Sequence, residues 1–188
     1  MQLNRRISRE EYENRLENIK LLLMDVDGVL TDSKLYLLPD GKGGIAETKG
    51  FDSQDGIGLR WLSWYGIKTG VISGRNSPAT VERASQVSMS YVYQGHIEKI
   101  PILEEILADA GISEQEVAYV GDDLTDAIIM RRTGLSFAVA NARPEVKEVA
   151  LATTDARGGS GAVREVIEDL LKAKGIWNEL LKKYGVIE

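Results

Sequence analysis

The chain has 188 residues, 43% hydrophobic and 28% charged, which suits one domain over 1–188 with a sizeable core. A net charge of −6 disfavours a nucleic-acid-binding face, although a negative protein still binds anions where the local site is positive. The absence of cysteine excludes disulfides and zinc–thiolate sites. No apolar h-region or membrane-length segment occurs, so the expected setting is the cytoplasm, with no membrane partner.

In chain order, Ser8 and Glu11 form a capping-box pattern that opens a short charged helix. A strand is predicted at about Lys20 to Asp25. Leu35 to Leu38 and Ile45 to Thr48 flank a Pro39-Asp40-Gly41-Lys42-Gly43-Gly44 turn and read as a β-hairpin. A helix over Asp55 to Tyr65 stops at Gly66, and a strand covers Ile67 to Ser73. Ser77-Pro78 supplies an N-cap and first-turn proline for the next helix. Tyr91 to Tyr93, Val117 to Val120 and Leu135 to Val139 are short strands. Helices near Glu98 to Ala110 and Asp123 to Thr133 lie between them, ending at Gly111 and Gly134. Two more helices follow, Gly161 to Ala173 and Ile176 to Tyr184. This alternation predicts an α/β fold: a Rossmann-like parallel sheet with helices on both faces and a hairpin flap at about 34–49. No insertion is long enough for a cap domain.

The chemistry concentrates at strand ends. In Leu21 to Thr31, LLLMDVDGVLT, an apolar run stops at two aspartates spaced i, i+2. In an extended segment Asp25 and Asp27 point the same way, roughly 7 Å apart along the chain. Two carboxylates on one spot repel, so a metal, a lysine or a shared proton must balance them. VISGR ends a strand in Ser73, Gly74 and Arg75. YQGHIEK delivers Lys99 after another, and VAYVGDDLTD ends in Asp122, Asp123 and Asp126. Ligands bind at the carboxyl edge of open α/β sheets. Acid pair, hydroxyl, lysine and acid cluster together make a metal-assisted phosphate site. Each residue taken alone has a plainer explanation. Ser73-Gly74 suits a turn, Lys99 an exposed helix position, Asp123 an N-cap, Asp126 a solvent-facing turn, and Asp55-Gly56 a helix start. His96 reads as a polar turn residue. The tryptophans Trp61, Trp64 and Trp177 read as packing. Gly158-Gly159-Ser160-Gly161 is no Walker loop but offers backbone amides to an anion.

The order DVDGVLTD, VISGR, YQG with a following lysine, and VGDDLTD resembles the four motifs of the haloacid dehalogenase-type phosphohydrolases. With GAVREV it is similar in particular to the capless 3-deoxy-D-manno-octulosonate 8-phosphate phosphatases, over about Ile19 to Leu171. The resemblance implies a Mg²⁺-dependent phosphatase of a small sugar acid phosphate. Asp25 would be nucleophile and Asp27 general acid and base. Ser73 would bind a phosphate oxygen, and Lys99 would neutralise charge. The Mg²⁺ ligands would be the Asp25 carboxylate, the Asp27 carbonyl and Asp122, with Asp123 or Asp126 orienting water or Lys99 from behind. Gly74, Arg75, Asp55 and Arg157 would contact substrate. It also implies a homotetramer whose hairpins and C-terminal tails (about 175–188) shield neighbouring sites. The hairpin agrees, since Leu35 and Leu37 face one way and Tyr36 and Leu38 the other, and such a hairpin is unstable alone in water. A hairpin folded onto its own domain is the alternative.

The chain departs from the family where Gln54 and Ser160 stand in place of two arginines. An α-keto acid needs a partner for its carboxylate, commonly arginine. Substrate choice therefore lies between the eight-carbon acid 8-phosphate and a nine-carbon 2-keto-3-deoxy acid 9-phosphate. A phosphate-binding regulatory or receiver-like module is the non-enzymatic alternative. Receivers, however, carry their acceptor Asp after a later strand.

Overall fold

The computed structural model describes all 188 residues. It opens with β1 (Gln2–Leu3), α1 (Arg9–Asn18) and β2 (Leu21–Met24), followed by the hairpin β3 (Tyr36–Pro39) and β4 (Ile45–Thr48). Next come α2 (Ser53–Trp64), β5 (Lys68–Ser73), α3 (Pro78–Gln86), β6 (Tyr91–Gln94) and α4 (Ile100–Ala110). The remainder is β7 (Val117–Gly121), a 3₁₀ turn (Leu124–Asp126), α5 (Ala127–Met130), β8 (Leu135–Ala138), α6 (Pro144–Val149), β9 (Ala152–Thr153), α7 (Ala162–Ala173) and α8 (Trp177–Lys183).

Seven strands form one sheet in the order β1-β9-β8-β7-β2-β5-β6, parallel except for β1 against β9. The central position of β2 explains its composition. All four of its residues are buried, and it pairs with β5 on one side and β7 on the other. A strand covered on both faces and both edges reads as an unbroken apolar run. The chain leaves β2 towards β5 and leaves the adjacent β7 towards β8, in opposite directions along the sheet, so the carboxyl ends of β2 and β7 flank a topological switch point. The Rossmann-like α/β architecture is as expected. No helix is long and apolar enough to cross a membrane.

Local signals explain most element ends. Ser8 caps α1 by accepting from Glu11 N–H at 3.1 Å, and Gly111 closes α4 in the left-handed region at φ +65°. Helix α2 starts two residues before the expected Asp55, because Asp52 caps it through the N–H groups of Gln54 and Asp55. The helix expected over Asp123 to Thr133 is shorter and broken into a 3₁₀ turn and α5. Short β1, β9 and α6 lie outside the expected elements, being too brief to impose a periodicity.

The hairpin stands clear of the sheet. Leu37 and Ile45 are 63% and 66% exposed, and Leu35, Tyr36 and Leu38 are exposed as well. It is therefore not folded onto its own domain.

Candidate active site

Four carboxyl-edge loops converge beside β2. After Met24 the chain runs through Asp25, Val26 and Asp27 to Gly28, which takes φ +95°. A Cβ on Gly28 would lie 2.0 Å from Asp122 Oδ2, so only glycine lets these two loops meet. The loop at Gly158 presses equally closely, where a Cβ would lie 1.7 Å from Gly28 O. Asn141 secures that approach by accepting from Gly158 N–H at 2.7 Å.

Lys99 sits immediately before α4 and is 1% exposed. Its ammonium donates to Asp126 Oδ1 at 2.7 Å and to Tyr119 Oη at 3.0 Å, and lies 3.2 Å from Asp25 Oδ1. Burial pulls its pKa down, but Asp126 and Asp25 outweigh burial and the net direction is up. Asp126 accepts further hydrogen bonds from Tyr119 Oη and from the N–H groups of Asp122 and Asp123. All its strong acceptor capacity is thus used within the chain. Asp123 is exposed and turns to cap Leu124 N–H, so of the two acids only Asp126 faces Lys99.

Asp25 and Asp122 differ from Asp126. Asp122 Oδ1 is buried without a partner, and buried Asp25 Oδ1 has only the Lys99 ammonium beside it. Ligand oxygens of Asp25, Asp122 and Asp126 lie within 4.8 Å of one another. Burial, then the Asp126 and Asp25 charges, push Asp122 up to about 8. Burial, opposed by Lys99 and reinforced by Asp126, raises Asp25 to about 6. Oxygens so sparsely partnered, in a cluster with surplus negative charge, suit a hard divalent cation, which takes oxygen donors.

Ser73 ends β5 on the same edge. Val71 pairs with Met24, so Ser73 lies beyond the end of β2. It is 2% exposed, and its hydroxyl accepts from Arg75 N–H at 3.2 Å. Gly74 and Arg75 follow on the surface of the loop.

A family model for haloacid dehalogenase-like hydrolases matches residues 69–167. The chain belongs to the haloacid dehalogenase-like hydrolases. Among curated relatives, the 3-deoxy-D-manno-octulosonate 8-phosphate phosphatase of Escherichia coli K12 is 39% identical over 165 residues, 88% of this chain and 86% of that one. The Moraxella catarrhalis enzyme of the same name was solved with magnesium, phosphate and a KDO molecule. It matches with a TM-score of 0.89 at 34% identity, covering 94% of this chain and 99% of that one. A cobalt-bound form from Haemophilus influenzae matches with a TM-score of 0.80 at 35% identity, covering 87% and 93%.

Not every expected residue of this haloacid dehalogenase-like chain faces the cluster. Asp55 is 1% exposed and accepts from Arg164 N–H at 2.7 Å, in the first turn of α7. Its other oxygen is buried without a partner, and burial raises its pKa to about 6. Asp55 therefore joins α2 to α7 and is not turned towards solvent-borne substrate. Arg157 is exposed and forms no ion pair. Ser160 lines a hollow of about 430 Å³ with Asp32, Tyr36, Phe51, Asp52 and Gly159, beside the hairpin root. Gln54 is exposed on the first turn of α2.

Two residues of this family member escaped the sequence reading. Tyr119 is fully buried in β7 and bonds both Asp126 and Lys99. A phenol inside an otherwise apolar strand was the available signal, since a buried hydroxyl requires a partner. Lys49, just past β4, has a fully buried side chain and donates to both oxygens of Asp27, at 2.6 and 2.9 Å. Its signal was alternation, because Glu47 and Lys49 share a face of an extended segment.

Proposed function

We propose that the chain is a Mg²⁺-dependent phosphomonoesterase acting on 3-deoxy-D-manno-octulosonate 8-phosphate, working as a single domain in the cytoplasm. The observation that carries the reading is the buried carboxylate cluster at the sheet's switch point, where Asp122 Oδ1 has no partner and Asp25 Oδ1 has only the Lys99 ammonium, at 3.2 Å. Asp25, Asp122 and the Asp27 carbonyl would hold the cation. When bound, Mg²⁺ supplies positive charge that offsets the clustered carboxylates and the non-bridging phosphoryl oxygens.

The chain's own residues perform the transfers. Asp25 attacks phosphorus, and the bond to the sugar oxygen breaks as Asp27 gives that oxygen a proton. Asp27 then takes a proton from water, whose oxygen attacks the aspartyl-phosphate. The bond to Asp25 breaks and inorganic phosphate leaves. Lys99 stands beside Asp25 to balance phosphoryl charge, and Ser73 offers a hydroxyl to a phosphoryl oxygen. Asp126 keeps Lys99 in place. Gly74 and Arg75 border the phosphate position, and Arg157 is the free cation near Ser160 for a sugar carboxylate. The exposed apolar hairpin supports a homo-oligomer, a tetramer by the earlier resemblance, in which hairpin and C-terminal tail cover neighbouring sites.

Phosphate release from the eight-carbon sugar phosphate tests the reading, with a chelator control, Asp25→Asn and a nine-carbon 9-phosphate in parallel. Expected are chelator-sensitive, Asp25-dependent turnover and preference for the eight-carbon substrate. Preference for the nine-carbon acid would keep the chemistry and move the substrate. No turnover of either, or of an aryl phosphate, would overturn the proposal.

A further inference from the structure

We infer that Lys49 is the positioning residue for Asp27, holding the general acid where it can reach the leaving-group oxygen. The inference rests on the phosphatase reading and adds to it a residue from the hairpin root.

Asp27 follows the last residue of β2 by three positions and precedes a left-handed glycine, so the strand does not fix its side chain. Lys49 makes the only hydrogen bonds to its carboxylate, one to each oxygen. Arg75 approaches the same carboxylate only to 3.7 Å, because its guanidinium is committed to Glu47 at 2.5 Å. Glu47 Oε1 lies 3.7 Å from Lys49 Nζ. Two acids and two bases thus alternate between the end of β2, the hairpin root and the loop after β5. In this cluster the fully buried member is Lys49, whereas the Arg75 side chain is 48% exposed.

Burying an ammonium is costly unless it is well paired, and an ion pair meant only to anchor a hairpin would lie more favourably at the surface. Lys49 instead grips the one carboxylate that must move a proton. With both oxygens of the carboxylate held, the side-chain torsions of Asp27 are fixed, and when one oxygen takes up the proton to be transferred the ammonium keeps the other. General acid catalysis needs the donor within hydrogen-bond reach of the leaving oxygen, and displacement by about 1 Å costs on the order of 10²-fold in rate.

The leaving group separates this role from simple anchoring. A sugar alkoxide needs a proton as it departs, whereas p-nitrophenolate does not. Lys49→Met is expected to lower the single-turnover rate of leaving-group release from the sugar phosphate by on the order of 10²-fold and from p-nitrophenyl phosphate by less than about fivefold, while the later hydrolysis of the aspartyl-phosphate, which also uses Asp27, slows alike for both. In an Asp27→Asn background, Lys49→Met is expected to add no further selective loss. Lys49→Arg, which keeps a cation against Asp27, is expected to recover part of the sugar-phosphate rate and serves if the methionine variant fails to fold. Equal losses in the leaving-group step on both substrates, or none on either, would overturn the inference while wild-type turnover of the aryl ester leaves the phosphatase reading standing. An inactive wild type would overturn both.

Discussion

Asp126 accepts four hydrogen bonds within the chain, whereas Oδ1 of Asp122, one turn away, accepts none. That contrast separates a carboxylate that builds the site from one left free for a ligand. Asp55 has one oxygen of each kind, Oδ1 on Arg164 N–H and Oδ2 unpartnered, and its burial gives a pH test. Its pKa in the fold, about 6, lies above the ordinary carboxylate value. Between about pH 4 and pH 6 the unfolded chain loses a proton that the folded chain retains, so the group's contribution to stability falls as pH rises. Above pH 6 the full penalty applies, about 3 kcal/mol. Asp55→Asn, which still accepts from Arg164 N–H, is expected to gain stability relative to wild type between pH 4.5 and pH 7.5 in thermal melts. A pH-independent difference would refute this assignment. The sequence exposed Asp55 as a polar residue near a helix start, but its partner lies 109 positions away in α7. No local pattern carries that information.

At the scale of elements, the i, i+2 acid pair, Ser73, Lys99 and Asp122 were legible because each ends or follows a strand, and parallel strands bring their carboxyl ends to one edge. Lys49 and Tyr119 were less so. Their roles depend on how the hairpin root and β7 face neighbours across the sheet edge, which strand periodicity does not specify. The two-residue strands β1 and β9 are set by each other and by β8, not by their own composition. The close approach of loops at Gly28 gives a sharp expectation. Gly28→Ala would impose a strained φ and push Asp122 aside. It is expected to cost about 1–3 kcal/mol in stability and to raise the Mg²⁺ concentration for half-maximal activity. An unchanged Mg²⁺ requirement, measured by titrating chelated enzyme, would break the link between that approach and the metal position.

For the molecule as a whole, the surplus negative charge at the sheet edge couples metal, pH and stability. Asp25 and Asp122 have raised pKa values, about 6 and about 8. Without metal, the unfolded chain releases both protons from about pH 4 while the folded chain keeps them, so melting temperature is expected to fall as pH rises from about 4 to about 8 and then to level off. Mg²⁺ must displace their protons, so its stabilisation is expected to be larger at pH 8.5 than at pH 6.5. Equal increments at both pH values, or none, would contradict the metal assignment. The hairpin sets a second whole-molecule expectation. Leu37→Asp with Ile45→Asp places charges on its most exposed apolar positions. The pair is expected to reduce the solution mass measured by light scattering while leaving the fold intact. A wild type that is already monomeric, or a variant of undiminished mass, would remove the hairpin from the interface.

The placement of β2 also bears on how the protein is made. A ribosome releases Asp25 and Asp27 before Ser73, Lys99 and Asp122, yet β2 acquires its second neighbour only when β7 emerges, and β1 waits for β9. Such distant pairings delay folding and leave apolar strands exposed meanwhile. A nascent chain stalled before β7 therefore presents a sticky, inactive β2 to chaperones and proteases, and no site works until β7 and the loop at Gly158 have emerged.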